Sequence, residues 1–339
     1  MTQIINAHDT DFYWGVLPKE ELISLNQYIS KVGFEKAIDN HNFTSRFDYA
    51  LDPHRANSIK FLFPDKIPYT VLEIGCGYGS LTVELSKKFD HVDAIDAVNQ
   101  SLIFTEHRLN FEKCLNVKLH QTGVFEDKNF LSSFENDKYD LIIVNGVLEW
   151  VGSGLSEGDP VRFQKQFLAE CNRKLKLNGL MYLAIENRFY PGWIRRDPHS
   201  KLPLTAIAPR SLANLISLIM TRNPYRTYIH GFRSLSKIMR ISGFILNTKF
   251  YVYHSYRRPT VLFHDNHDFV KELLKEISPK FFTAKWKFFL KFAIRLNLID
   301  LLIPTFTHVY GKQSKANLDF KYKFAFIKNS SLILKTWKK

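Results

Sequence analysis

Between about residue 68 and residue 186, short apolar runs alternate with longer segments whose apolar positions recur at helical spacing. Tyr69-Thr-Val-Leu-Glu-Ile-Gly75, His91-Val-Asp-Ala-Ile-Asp96, Val117-Lys-Leu-His-Gln-Thr122, Tyr139-Asp-Leu-Ile-Ile-Val-Asn145 and Leu180-Met-Tyr-Leu-Ala-Ile185 read as strands. Ser80 is placed to cap a helix that buries Leu81, Val83, Leu85 and Phe89. Ser101 is placed to cap a second, running to about Phe111, and residues 161–177 form a third, closed by Asn178-Gly179. Strand and helix in strict alternation predict a parallel sheet with helices on both faces.

The flanks follow other rhythms. Residues 1–60 read as a helical extension, with Leu22, Ile23, Leu25 and Ile29 at helical spacing from Glu20 to Val32 and Pro18 at the start. Residues 187–208 hold Pro191, Pro198, Pro203 and several arginines, the composition of a long loop of the kind that covers binding sites. Helices are expected over 210–220, 233–242, 267–277 and 284–297. Strands are expected at Leu246–Tyr253 and Thr305–Tyr310, and a hairpin turns at Asn329-Ser330. The resulting division is a helical extension (1–60), an α/β core (61–253), a basic, aromatic helical insertion (254–304), and a last core strand with the C-terminal hairpin (305–339).

Charge sharpens this division. The 339 residues carry 47 Lys+Arg against 33 Asp+Glu, a net of +14. Residues 1–190 hold 20 and 26 of these, a net of −6; residues 191–339 hold 27 and 7, a net of +20. The second part is therefore expected to attract anions: a phosphorylated substrate, an acidic membrane surface or nucleic acid. Cys76, Cys114 and Cys171 form no CxxC pair, which predicts free thiols in a reducing compartment and argues against a structural zinc site. No signal peptide is expected, and the apolar stretch at 296–304 is too short and too interrupted to span a bilayer. A cytoplasmic protein, at most peripheral to the inner face of a membrane, is expected.

The chemistry concentrates in Val71-Leu-Glu-Ile-Gly-Cys-Gly-Tyr-Gly-Ser-Leu-Thr82, where a strand ends in three alternating glycines and a helix begins at once. Glycines let the chain turn sharply and let a ligand approach the backbone, while the helix start offers free N–H groups. Asp96 closes the next strand 17 residues after Gly79, where a carboxylate can accept hydrogen bonds from ribose hydroxyls. The dinucleotide fingerprint is G-x-G-x-x-G; this chain has G-x-G-x-G with Glu73 before it.

That arrangement resembles the first motif of class I S-adenosylmethionine (SAM)-dependent methyltransferases, over about residues 60–190. The resemblance implies SAM as cofactor and a Rossmann-like, seven-stranded methyltransferase sheet, here with a helical N-terminal extension and a C-terminal insertion and extension. Residues 246–253 and 305–310 would supply the sixth strand and an antiparallel seventh inserted between the fifth and sixth. By the same likeness, Glu73 organises the loop, Gly75 and Gly77, with Gly79 closing the turn, pass under the methionine part, and Asp96 holds the ribose. Val124 and Phe125 flank the adenine, while Asn145 and Gly146 line the methyl-donor side. Asn145-Gly-Val-Leu-Glu-Trp-Val-Gly152 with Leu183-Ala-Ile-Glu-Asn-Arg188 further resembles a bacterial and archaeal branch associated with surface-glycan biosynthesis. The implied acceptor is a sugar hydroxyl on a nucleotide sugar or lipid-linked glycan.

Methyl transfer asks mainly for alignment, and a hydroxyl acceptor also gains from a base. Glu149, His254 and His230 are the candidates, although Glu149 also suits a helix N-terminus. Arg188, with Arg195 and Arg196, is placed to hold a substrate phosphate, or simply to be loop charge. His264-Asp-Asn-His267-Asp268 lacks a spacing that would make it converge, so no metal is expected. Lys285-Trp-Lys-Phe-Phe-Leu-Lys-Phe-Ala-Ile-Arg295 mixes cations with aromatics and suits either a membrane surface or a helix packed on the core. The rival functions are an RNA methyltransferase using the basic half and a non-catalytic SAM-binding protein. Against the first, Asn145-Gly-Val-Leu is not an N-P-P-[YF] motif and no RNA-binding module is visible.

Overall fold

Five strands form the parallel half of the sheet: β1 (Ile67–Ile74), β2 (Phe89–Asp96), β3 (Val117–Gln121), β4 (Tyr139–Asn145) and β5 (Leu175–Glu186). Strands covered on both faces need apolar residues at successive positions, which is why β1 and β4 read as unbroken apolar runs. The alternation is still visible in the packing. Leu72, Ile74, Ile142 and Val144 face one core, and Val71, Leu141 and Ile143 face the other. Truncating a side chain buried this way, such as Ile143, costs about 2–5 kcal/mol.

This computed structural model describes residues 17–41, 51–63, 65–123, 125, 130–155, 157–276, 284–296, 298–312, 322–328 and 331–336. Helices α1 (Lys19–Val32), α2 (Phe34–Asn40), α3 (Asn57–Leu62), α4 (Ser80–Lys88), α5 (Asn99–Phe111) and α6 (Pro160–Lys174) accompany the parallel strands. The second half holds α7 (Arg210–Thr221), α8 (Phe232–Ile241), β6 (Phe244–Ser255), β7 (Arg258–His264), α9 (His267–Glu276) and α10 (Ala284–Arg295). It ends with α11 (Ile299–Leu302), β8 (Thr305–Lys312), β9 (Tyr322–Lys328) and β10 (Ser331–Thr336).

The strand order is β10-β9-β7-β6-β8-β5-β4-β1-β2-β3. β8 runs antiparallel between β5 and β6, the order expected for the sixth and seventh strands. The sheet is mixed and has ten strands among the described residues, not seven. β7 turns back on β6 after only Tyr256-Arg257, and the C-terminal hairpin β9–β10 adds to β7. The segment expected to be a helical insertion therefore opens with a strand that buries Val261, Leu262 and Phe263. Its apolar run is short and begins beside Pro259, which weakened the strand signal.

Three boundaries also differ. α6 ends at Lys174 and β5 begins at Leu175, so Asn178-Gly179 lies inside the strand rather than closing the helix. Ser80 and Ser101 lie within the first turns of α4 and α5, and neither acts as a cap. Side-chain caps stand instead at α6, where Asp159 accepts from the Val161 N–H and Pro160 takes the first position, and at α9, where Asn266 accepts from the Asp268 and Phe269 N–H groups. No helix among the described residues is long and apolar enough to cross a membrane.

Candidate active site

The carboxyl ends of β1, β2, β4 and β5 meet at one edge of the sheet, and the glycine loop lies there. Gly75 (φ 75°), Gly77 (φ 53°) and Gly79 (φ 73°) all adopt the left-handed conformation that disfavours a side chain. A Cβ on Gly75 would stand 2.5 Å from the Val147 side chain, and one on Gly79 would stand 2.8 Å from Thr105. A Cβ on Gly77 would meet nothing within 4 Å, so open space lies on that side of the loop. The loop is pinned from below: the Gly75 and Cys76 N–H groups donate to the Ile95 carbonyl at 2.9 and 3.0 Å. The Thr105 hydroxyl donates to the Gly77 carbonyl at 2.7 Å.

Asp96 accepts from the Gly77 N–H at 2.8 Å and the Val98 N–H at 2.9 Å, one at each oxygen. A carboxylate has about four lone-pair sites, so capacity remains for a ligand's hydroxyls. Burial raises its carboxyl above the ordinary range against the pull of those amides. Glu73 is buried, and burial pushes its carboxyl up to about 7 against the pull of Thr82 and Arg55. Buried polar atoms without a partner gather along this edge: Glu73 Oε2, Gln121 Nε2, Thr122 Oγ1 and Asn145 Oδ1. They lie at the ends of β1, β3 and β4, around the open side of the loop. Buried polar groups are rarely left unpaired, so this edge suits a polar ligand of SAM's kind. Phe125 stacks into the core with Phe130 and Phe167, at 5.6 and 5.9 Å between ring centres. Val124 lies outside the described residues.

The acceptor side is built from three segments that are distant in sequence. Glu149 sits in a short 3₁₀ turn, Leu148–Trp150, directly after β4, and no helix begins there for it to cap. Glu186 ends β5. Tyr256 lies in the turn between β6 and β7 and packs so closely on Gly146 that a Cβ there would stand 2.5 Å from its hydroxyl. That hydroxyl lies 3.1 Å from Glu149 Oε1 and 3.0 Å from Glu186 Oε1. It has one hydrogen to give to two carboxylates. Arg257 approaches Glu186 Oε1 at 3.5 Å.

His199 completes the group. Its Nε2 lies 3.4 Å from Glu186 Oε2 and 3.7 Å from Glu149 Oε1, with the edge of Trp150 against its ring. Asp197 presents it: one Asp197 oxygen accepts the His199 and Ser200 N–H groups, and the other accepts the Thr205 and Tyr225 hydroxyls. Burial and the neighbouring Glu186 raise the Glu149 carboxyl. For Glu186, burial is outweighed by His199 and Arg257, and its carboxyl falls below the ordinary range. For His199, burial is outweighed by the two glutamates, and the imidazole's value rises.

The other sequence candidates lie elsewhere. The Arg188 guanidinium donates to the Ala206 and Ala208 carbonyls, tying down the loop after β5. It also lines a 290 Å³ cavity with Lys165, Arg210 and Lys237. His230 borders the same cavity, is buried, and meets Gln164 Oε1 at 2.7 Å through Nε2. Burial, with Arg210 and Arg188 nearby, lowers it to about 3, so it is neutral. His254 stands on β6 opposite Pro259, and its side chain lies outside the described residues. Arg195 and Arg196 are exposed. His264 packs against Phe61 and Phe250, and Asp265 pairs with Lys249, while the His267 side chain lies outside the described residues.

Sequence reading did not single out Glu186, His199, Tyr256 or Arg257. Glu186 lay within a quoted motif at a strand end, which is a usable signal. His199 had none, because only the Asp197-centred turn directs it inward.

Comparison with known proteins agrees with the cofactor half. Residues 72–181 match the model of the methyltransferase domain family. The chain is 25% identical over 143 residues to the ubiquinone biosynthesis O-methyltransferase of Rickettsia akari, covering 38% of this chain and 50% of that protein. It thus spans half the length of the curated relative it matches. Among solved structures, a SAM-dependent methyltransferase from Archaeoglobus fulgidus aligns with 15% identity, 78% of this chain, 94% of its own and a TM-score of 0.42. One from Aquifex aeolicus aligns with 16% identity, 66% of this chain, 90% of its own and a TM-score of 0.38. Residues 72–181 thus form a methyltransferase domain.

Proposed function

We propose that this chain transfers a methyl group to a hydroxyl oxygen of a small acceptor, a sugar of a nucleotide- or lipid-linked glycan. The observation that carries this reading is the buried Glu149–Glu186–His199 group beside the glycine loop, linked to it through Val147 and Gly146. When bound, SAM supplies an electrophilic methyl group. The chain's own part is to hold the acceptor in line and to take up its proton, and a carboxylate–histidine group is suited to that. The cavity lined by Lys165, Arg188, Arg210 and Lys237 supports an anionic acceptor. Exposed apolar side chains on α7 (Leu215, Ile219, Met220) and α10 (Phe288, Phe292), within the basic half, support a lipid-linked one.

The test begins with calorimetric titration of SAM into wild type and Asp96→Ala. Losing hydrogen bonds to a charged group costs about 1.5–3 kcal/mol each, so affinity should fall at least about tenfold. Failure of the wild type to bind SAM would end this reading. Binding followed by methylation of RNA rather than glycans, with steep salt dependence, would replace the acceptor class.

A further inference from the structure

We propose that Glu149, Glu186 and His199 bind one divalent cation of the Zn²⁺ or Mn²⁺ type on the acceptor side of the site. The proposal rests on the methyltransferase reading only for what the cation does there; the ligand set stands on its own geometry.

Each residue can offer one ligand atom, and the three atoms lie within 4.8 Å of one another, a convergence found nowhere else among the described residues. The spacing fits a particular coordination. With bonds of about 2.0–2.2 Å, ligand atoms stand roughly 3.4 Å apart around a tetrahedral ion, and less around an octahedral one. His199 Nε2 lies 3.4 Å from Glu186 Oε2 and 3.7 Å from Glu149 Oε1. One imidazole with two carboxylates suits Zn²⁺ or Mn²⁺, whereas Ca²⁺ takes six to eight oxygens at longer range.

A second observation is independent of the clustering. Glu149 Oε2, Glu186 Oε2 and both nitrogens of His199 are buried without a hydrogen-bond partner. Glu149 and His199 are at most 1% exposed. The simplest alternative occupant is the proton of an imidazolium bridging the carboxylates. That proton would sit on Nε2 between Glu186 Oε2 and Glu149 Oε1 and would leave Glu149 Oε2 without a partner. A buried polar group with so many unpaired atoms calls for a ligand that accepts electron pairs from all three sides at once. Arg257 does not occupy this position, since it meets Glu186 through Oε1, while Oε2 faces His199. The Tyr256 hydroxyl, near both Oε1 atoms, acts as a positioning group that holds the two carboxylates at their separation.

Three protein ligands leave a tetrahedral ion one open position, as in catalytic zinc sites. An acceptor hydroxyl there would be polarised and would release its proton more readily to a carboxylate oxygen left off the ion, such as Glu149 Oε2. This favours acceptors whose hydroxyl oxygen can reach a metal, such as sugars with adjacent hydroxyls.

The experiment uses the full chain, stripped with chelator and then titrated with Zn²⁺ and, separately, Mn²⁺. Bound metal is read by elemental analysis and, for Mn²⁺, by electron paramagnetic resonance, with SAM calorimetry on the same preparations. The expected result is one saturable cation per chain, with affinity at least about 100-fold weaker in His199→Asn and in Glu186→Gln. Tyr256→Phe, which keeps all three ligands, should bind with affinity reduced by about tenfold or less. Circular dichroism of each variant separates lost ligation from lost folding. Absence of a saturable cation in the wild type, or unchanged affinity in a folded His199→Asn, would overturn the proposal. If SAM still binds in that case, the methyltransferase reading stands without the metal; if SAM does not bind while the cation does, that reading fails and the site remains.

Discussion

Two buried acidic centres in this fold are built in opposite ways. Asp93, in the middle of β2 and 1% exposed, is surrounded by partners. Lys138 Nζ and the Tyr139 hydroxyl donate to one oxygen at 2.7 Å each, and His120 Nε2 and His91 Nε2 meet the other at 2.9 and 3.2 Å. Burial alone would raise this carboxyl, but His120, Lys138 and Tyr139 hold it well below the ordinary range. Glu149 and Glu186 share one tyrosine hydroxyl and leave oxygens unpaired. A saturated centre of this kind belongs to the fold, because its partners come from β2, β3 and β4 and tie those strands together. An unsaturated pair of carboxylates beside a ligand site leaves room for something outside the chain to complete it.

The sharpest break of this comparison is Glu149→Gln, because burial and Glu186 both push the Glu149 carboxyl up. Neutralising it relieves that repulsion, so the unfolding midpoint should stay or rise, while turnover should fall by about 10²–10⁴. Denaturation beside methyl transfer to the best acceptor found checks both. A variant that unfolds outright would mean that the two centres do not differ in kind. Asp93→Asn should do the reverse, costing about 3–5 kcal/mol of stability and leaving SAM affinity of the folded protein little changed. Acid sharpens the contrast. The Asp93 contribution is complete above the unfolded carboxyl's value of about 3.9 and is lost as pH falls toward the lower folded value. Wild type should therefore lose more stability than Asp93→Asn below about pH 4, measured by urea unfolding at stepped pH.

The same contrast marks what was legible in the sequence. The glycine loop, Glu73 and Asp96 stand within 24 residues of one strand–turn–helix–strand unit, and local spacing alone places them together. The five parallel strands were likewise readable, since unbroken apolar runs report burial on both faces; the antiparallel position of β8 came from the family resemblance instead. The acceptor side assembles residues 149, 186, 199 and 256 through a turn, a strand end, an Asp197-centred loop and a hairpin, and no periodicity records such a meeting. Arg188 shows what charge alone leaves unread: its guanidinium lines the basic cavity and is also engaged with loop carbonyls. Of the three added strands, β9 and β10 were legible as a hairpin and only β7 was missed, for a related reason. Its pairing is antiparallel and local, and a short run beside a proline looks like loop until an edge is available to receive it.

Glu73 lies between the two extremes and gives the smallest effect. It is buried with one oxygen unpaired, faced by Thr82, Arg55 and Asp96, and its carboxyl is pushed up to about 7 from an ordinary 4.5. Between those values the folded protein keeps a proton that the unfolded chain has released. Raising the pH through this window therefore costs stability, by about 3 kcal/mol once it is crossed, and nothing further above it. Glu73→Gln stays neutral throughout. Its stability relative to wild type should rise by up to that amount from pH 4.5 to pH 8 in the absence of SAM, read as the difference between two urea-unfolding series. Taking the difference removes the pH dependence of every other group. A difference that does not vary with pH would show that Glu73 is satisfied in solution as Asp93 is, and would place it with the structural centre rather than with the ligand-facing one.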